Sequence, residues 1–532
     1  MKRKTITYYI SRILPGILLF AMVFSCEDLV DESQISEIDP QNFFRNNSDA
    51  LAAVIGIYDG MQPTFRLKHY LWGEFRGDSY INGNDGAGAN NIELTTNDVT
   101  SGNAPALDWG EFYNMINRAN EVIANVPNID GFDPGLLAEA QALRAYAYFQ
   151  GVRVWGSLPL FTEPTRGFSQ DLFKTRTDAQ TILNEVIIPD MLAAEANMPI
   201  NQLTNNFRFS LTSIWALQAD VYGFLGEDEL AREALLKIVN SNRFRLANSP
   251  EEWQNQFLND SNDPFSTEFE GNGPLKIQQG PELILSIRYS LEEAGTANRA
   301  GIFALFFAGI PSFNLSPALE NKWTERFPID SLGWVTKYPD VDPVLTAPET
   351  VVNEDGDEVT VINPVYGDWR YYLCRENFTN LESKGSGNAR LSKYNKQNYN
   401  PGLDDSDIVL YRYADVLLYL AELENRLGDS TRALEIVNDF REARQLPAVT
   451  VAEFGATEDE REIFILDERQ LELIGEGKRW WDLRRTNRAL EVLNPILDTL
   501  TGGVPLTQER LLFPIFDEHL IENDLLEQTP GY

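Results

Sequence analysis

From Phe112 onward, apolar residues return at three- and four-residue intervals through Ile116, Ala119, Val122 and Ile123. A second run carries the same period from Leu136 through Leu143, Tyr146, Ala147 and Val154. One apolar stripe repeating near 3.6 residues marks an amphipathic helix. Pro127 and the Gly131-Phe132-Asp133-Pro134 turn part the two runs, so this segment reads as a helical hairpin. Thr177 to Ala196, Phe209 to Leu225 and Glu229 to Val239 continue the helical pattern. Residues 241–400 break it: prolines and aromatics collect there without long periodic runs. Within them Glu282 to Tyr289 reads as a short strand. Val351-Val352 and Val359 to Ile362 flank an Asp355-Gly356 turn, which predicts a β-hairpin. Arg76 to Asp108, dense in Asn, Gly and Asp, reads as a long surface loop of the kind that often carries function.

Two distant helical segments share a pattern. Ala219, Gly226 and Ala231 recur with the same spacing as Ala421, Gly428 and Ala433, and Leu225-Gly226-Glu227 matches Leu427-Gly428-Asp429. Small residues at those offsets let antiparallel helices approach closely, and the glycine ends the first of them. The pattern resembles tetratricopeptide helix pairs, yet the copies lie roughly 200 residues apart where consecutive repeats are spaced by about 34. The expected fold is therefore mainly α: tetratricopeptide-like hairpins forming a solenoid scaffold, interrupted by a large irregular, ligand-facing region with short β-hairpins. Four segments follow from this: 1–25 as a leader, 26–240 helical with the 76–108 loop, 241–400 the irregular insertion, and 401–532 helical again.

Length alone would allow three or four domains, but no linker-like stretch divides the 532 residues. Apolar residues at 43% and aromatics at 11% suffice for one large core. The formal charge of −36 becomes −40 once Lys2, Arg3, Lys4 and Arg12 of the first 25 residues are set aside. A surface so negative repels phosphate backbones and anionic lipid, which argues against nucleic-acid or general membrane-surface binding. The first residues form a leader: bases, then an apolar run from Ile13 to Phe24. As a helix that run reaches about 18 Å, short of the roughly 30 Å hydrocarbon core, so it reads as a signal peptide and not as a membrane span. Val23-Phe24-Ser25-Cys26 resembles a bacterial lipobox, in which Cys26 is lipidated and becomes the new N-terminus; an ordinary signal with an incidental cysteine is the alternative. That leaves Cys374 as the one free thiol, with neither His69 nor His519 near it in sequence, so it reads as buried and inert.

Catalytic chemistry has little raw material. The chain has no G-x-S-x-G elbow, no H-E-x-x-H and no P-loop, since Gly477-Lys478 is followed by Arg479. Two histidines and two cysteines build neither a metal cluster nor a triad, and no cofactor is expected. Among 80 carboxylates, pairs at glycosidase spacing arise by chance and identify nothing. Asp404-Asp405-Ser406-Asp407 lacks the spacing of a calcium loop and reads as a helix cap ahead of Ile408. Lys478, Arg479, Arg484, Arg485 and Arg488 surround Trp480 and Trp481; with Glu468, Glu472, Glu476 and Asp482 close by, an ion-paired helical face is favoured over a phosphate site.

Several blocks carry a family resemblance. Ile408 to Glu422 with Leu427-Gly428, Glu468 to Arg485 (ERQLELIGEGKRWWDLRR), and Leu511 to Ile515 with Gln528 to Tyr532 are similar to the signature blocks of the SusD/RagB family. Glu139 to Phe149 and Gly156 to Leu160 resemble its upstream blocks. Phe516 stands where the family's terminal motif has a second proline, and Thr529 where it has an asparagine. The resemblance implies a lipid-anchored, surface-exposed outer-membrane protein of Bacteroidetes that binds a nutrient without cleaving it and sits on a SusC-like TonB-dependent transporter. The acidic run Glu27 to Glu32 is similar to the export tether of such lipoproteins, with a solvated linker as the alternative. The shared blocks are scaffold, so Trp480 and Trp481 are expected to pack, and ligand residues must come from chemistry.

Sugar rings offer apolar C–H faces and hydroxyl edges, which call for aromatic faces beside Asn, Asp and Arg. Two stretches combine these: Trp72, Arg76, Asp78, Tyr80, Asn82 and Asn84, then Tyr289, Phe313, Asn314, Trp323 and Trp334. Trp323 leads because Asn321, Lys322 and Glu325 flank it. A glycan is the expected ligand; a peptide, as in the RagB branch, would use the same residue types, and a hydrolase or a bare helical scaffold is the remaining alternative.

Overall fold

The structure is a computed structural model, and it describes residues 43–83, 87–167, 172–257, 280–289, 301–306, 311–353, 356–375, 384–394 and 406–532. The leader, Cys26, Asn84, Asp404 and Asp405 lie outside the described residues. Six helices open the scaffold: α1 (Asn47–Phe65), α2 (Gly110–Asn125), α3 (Pro134–Trp155), α4 (Ile188–Asn197), α5 (Leu211–Leu225) and α6 (Asp228–Asn240). Four more close it: α7 (Tyr413–Arg426), α8 (Ser430–Ala443), α9 (Glu458–Leu473) and α10 (Arg479–Arg485). Their ends are set by local chemistry. Asn46 accepts from the first amides of α1, Asp133 caps α3 just before Pro134, and Ser210 and Ser213 form a reciprocal cap on α5. Gly226 ends α5 in the left-handed region at φ +76°, which a glycine adopts without strain.

Consecutive helices pack on one another from α1 to α6, and α6 packs directly on α7, which in turn contacts α8 and α9. The two copies of the Ala-Gly-Ala pattern, far apart in sequence, are therefore neighbours in one continuous stack. Ala219 and Ala421 are both buried. Gly223 explains how close α5 and α7 come: a Cβ there would stand 1.6 Å from the Tyr419 hydroxyl oxygen. The chain returns to the stack through a strand pair, β2 (Leu283–Ile287) against β6 (Ile408–Arg412), antiparallel and buried along its whole length. Ile408 thus opens a strand, not a helix. Asp407 does not cap a helix; its Oδ1 accepts the Tyr289 backbone amide at 2.8 Å.

Two other ladders involve the intervening region. β1 (Tyr80–Asn82) pairs with β3 (Phe313–Leu315), and β4 (Leu345–Val352) pairs with β5 (Glu358–Val365) as the expected hairpin, with Gly356 at φ +87° beside the turn. The Arg76–Asp108 segment is not the surface loop its composition suggested. It holds β1 and the short helices Ala89–Thr95 and Ala104–Leu107, and it buries Leu94, Val99, Ala106 and Leu107. Some of its polar groups make local bonds, as where Glu93 accepts from the Thr100 backbone and the Asn103 side chain, and others reach across the fold, as where Asp78 pairs with Arg479.

A buried ion network ties the scaffold to the intervening region. Glu472 on α9 accepts from Arg370 Nη1 at 2.8 Å, Arg412 Nη1 at 2.7 Å, Arg444 Nη2 at 2.8 Å and the Trp253 indole at 2.9 Å. Arg412 also binds Glu282 and Glu476, Arg441 binds Glu468, and Lys393 binds Glu476. Glu282, Asp368, Glu468, Glu472 and Glu476 thus meet Arg370, Lys393, Arg412, Arg441 and Arg444, with Arg326 also 3.6 Å from Glu468, so each carboxylate of the cluster has a cation beside it. Buried charges are tolerated only when paired in this way. Trp480 and Trp481 are buried beside this core, as expected of scaffold.

Candidate functional site

The β1–β3 ladder joins the two stretches chosen from the sequence, setting Tyr80 opposite Leu315, Ile81 opposite Asn314 and Asn82 opposite Phe313. Their large side chains, however, point into the core. Trp323 is 1% exposed and its indole N–H donates to Asp368 Oδ2 at 2.8 Å. Trp334 is buried on Tyr338 with its indole bonded to the Val341 carbonyl. Trp72 is buried and donates to the Ala106 carbonyl, and Phe313 stacks on Phe75 with centroids 3.5 Å apart. Tyr289 is buried with its hydroxyl on the Gln62 carbonyl, and Asn314 Nδ2 donates to Gly387. Arg76 lies between the Trp480 and Phe513 rings, and Asp78 is paired with Arg479 at 2.7 Å. Asn82 and Asp78 are the half-buried members among the described candidates, and Asn82 accepts from Thr95 Oγ1.

These burials correct the expectation of exposed ring faces, and the reason is periodicity. On the helix Pro317–Arg326, Leu319, Glu320, Trp323 and Thr324 face inward while Asn321 and Glu325 face out. Polar neighbours in sequence are thus compatible with a buried ring, because adjacent residues on a helix point to different sides. The spacing of Leu319, Trp323 and Phe327 already carried that signal.

An open cleft of about 800 Å³ is lined by Asn206, Phe207, Arg245, Asn248, Ser249 and Glu252 among others, none of them a candidate from the sequence. One wall is an Asx turn, in which Asn205 Oδ1 accepts the amides of Phe207 and Arg208. That wall is fixed to the strand pair where the Asn206 carbonyl accepts Ser286 N–H at 2.7 Å. The opposite wall is the short helix Pro250–Asn255, capped by Ser249 Oγ on Glu252 N–H. Beneath it the buried Trp253 reaches Glu472, so the ion network anchors the cleft. Arg245 grips Glu252 through Nη1 and Nη2 and holds its carboxyl below the usual range, leaving an ionised acceptor on the wall.

Amides, a carboxylate, a guanidinium and one phenyl ring can read hydroxyl edges and cover an apolar face. The runs Asn205-Asn206-Phe207 and Asn248 to Asn255 set amides beside aromatics, which is the sequence signal of this cleft. Neither Cys374 nor His69 is poised for attack or base catalysis. Burial pushes the Cys374 thiol up to about 12, and burial with Lys478 nearby pushes His69 down to about 3. Among the described residues no group of three or more His, Cys, Asp or Glu is arranged to hold a metal, and no helix is long and apolar enough to cross a membrane.

Comparison with known proteins gives consistent matches. A family model described as "SusD family" matches residues 364–532, and one described as "Starch-binding associating with outer membrane" matches residues 31–222. The chain is 41% identical over 525 residues to SusD-like protein P38 of Formosa agariphila, covering 97% of each. Among solved structures, a SusD superfamily protein from Bacteroides thetaiotaomicron superposes with a TM-score of 0.66 at 19% identity, over 92% of this chain and 99% of that one. A laminarin-binding SusD-like protein superposes at 0.63 and 21% identity, over 92% and 100%.

Proposed function

The chain belongs to the SusD family, and on that premise we propose that it captures a glycan at the bacterial surface and passes it to a SusC-like TonB-dependent transporter without cleaving it. The carrying observation is the match to a SusD-like protein along nearly the whole of both chains. The cleft of Asn206, Phe207 and Arg245 is the proposed capture surface: its volume falls within the roughly 300–1,000 Å³ of small-ligand sites. In this reading Cys26 carries the lipid that holds the protein at the outer membrane. Fatty-acid labelling in cells should mark the wild type and spare Cys26→Ala; equal labelling of both would remove the anchor from the proposal.

Affinity for the glycan is expected to be modest. Covering about 50 Å² of the Phe207 ring at roughly 25 cal/mol per Å² supplies about 1.2 kcal/mol. After the entropic cost of association, a site built from one ring and several amides gives dissociation constants in roughly the micromolar-to-millimolar range. Such weakness suits a protein that must release its cargo. Calorimetry with Phe207→Ala should show binding weakened about sevenfold, with the melting temperature close to wild type because the ring is only partly buried. Unchanged affinity would move the capture surface elsewhere.

A further inference from the structure

The basic cluster Lys478 to Arg488 is ion-paired at four of its five members. Lys478 meets Asp415 at 2.8 Å, Arg479 meets Asp78, Arg485 meets Glu422 and Asp482 at 2.8 and 2.9 Å, and Arg488 meets Glu462 at 2.9 Å. Arg484 is the exception. Among the described residues its one hydrogen bond goes to the Arg153 backbone carbonyl, and its guanidinium lies 5.6 and 5.9 Å from the Trp481 and Trp480 ring centroids. In a chain with 80 acidic and 44 basic residues, a partly buried arginine without a carboxylate is the unexpected arrangement.

Arg153 shares this setting. It is 8% exposed, and its guanidinium is held 4.4 Å from the centroids of both the Phe149 and Trp481 rings. Nη2 donates to Gln150, the nearest carboxylate is Asp220 at 3.9 Å, and Nε is buried without an acceptor. Asp220 is itself engaged by the Tyr411 hydroxyl at 3.0 Å. Arg153 and Arg484 line a cleft of about 380 Å³ between the α5–α6 turn and α10, with Phe149, Phe224 and Leu511 as apolar walls and Asn487 among its polar lining residues. Arg485 and Asp220 also line it: the Arg485 charge is met by Glu422 and Asp482, and the Asp220 carboxylate, which accepts from Tyr411, stands 3.9 Å from Arg153. Burial and the repulsion of Arg76 and Arg153 push the Arg484 pKa down, a cost that a bound anion would offset.

We propose that this cleft binds an oxyanion, a carboxylate or sulfate group carried on a small ligand, through Arg153 and Arg484. Guanidinium groups suit planar or tetrahedral oxyanions because they present several donors in a fixed fork, and apolar walls strengthen such contacts by excluding water. This site is separate from the glycan cleft and does not depend on the reading given to it.

Calorimetry on the full mature chain at low ionic strength tests it with sodium sulfate, sodium acetate and sodium D-glucuronate, against sodium chloride at matched ionic strength. One-to-one binding that chloride does not reproduce is expected. Asn487→Asp places a negative charge in the cleft lining at φ +56°, a backbone position aspartate tolerates, and should weaken binding tenfold or more. Arg484→Gln should do the same. Equal affinity for all three probes would assign the site to the oxyanion alone, and a tenfold preference for glucuronate over acetate would add the walls as a ring surface; both support the proposal. No binding beyond chloride, or binding unchanged in both variants, would overturn it.

Discussion

Glu472→Gln is expected to destabilise the protein by about 3–5 kcal/mol, the usual cost of removing one partner from a buried charge cluster. The glutamine is nearly isosteric, so packing changes little. Its amide, however, turns an N–H pair toward three guanidiniums, Arg370, Arg412 and Arg444, that now share fewer carboxylates. A denaturant melt reads the loss directly; a change below about 1 kcal/mol would mean that the cluster rearranges and that Glu472 is not its centre. The same network sets the acid limit. Burial alone would raise the Glu468 and Glu472 pKa values. Arg441, Arg370 and Arg326 outweigh it and hold Glu468 at about 2, and Arg444, Arg412 and Arg370 hold Glu472 well below its usual value. A carboxyl depressed in the folded state stabilises fully above its ordinary value of 4.5 and loses that contribution as pH falls toward 2. Wild-type stability should therefore drop across that window, and Glu472→Gln should show a shallower drop.

Trp323→Ala should cost a further large amount, about 3–5 kcal/mol, because an indole at 1% exposure is replaced by a cavity. Asp368, which accepts from that indole, also holds Arg370, so the loss spreads into the charge cluster. The melting temperature should fall well below wild type while glycan affinity of the folded protein stays the same. Near-normal stability with lost binding would instead return Trp323 to a ligand surface.

The scaffold was legible because its signals are local. The three- and four-residue spacing around Ile116 and Leu143 marked α2 and α3, and the Asp355-Gly356 turn marked the β4–β5 hairpin. The Ala-Gly-Ala pattern went further, since matching offsets in α5–α6 and α7–α8 anticipated two hairpins, though not that they touch. Other features depend on tertiary pairing. In so acidic a chain Glu472, buried among arginines, and Glu458, exposed at a helix start, look alike in sequence. Arg484 was grouped with its ion-paired neighbours because its isolation is visible only in three dimensions. The cleft also depends on the fold: Phe207, Arg245 and Pro281 are far apart in sequence and come together where the Asn206 carbonyl joins Ser286 on β2.

Titration of purified wild-type protein with a panel of soluble oligosaccharides, followed by an assay of each mixture for new reducing ends, tests glycan capture without turnover most directly. Saturable binding of at least one glycan in the micromolar-to-millimolar range, with no new reducing ends after prolonged incubation, is the expected outcome. New reducing ends would make the protein a hydrolase, and absence of binding across the panel would contradict its reading as a glycan-capturing member of the SusD family.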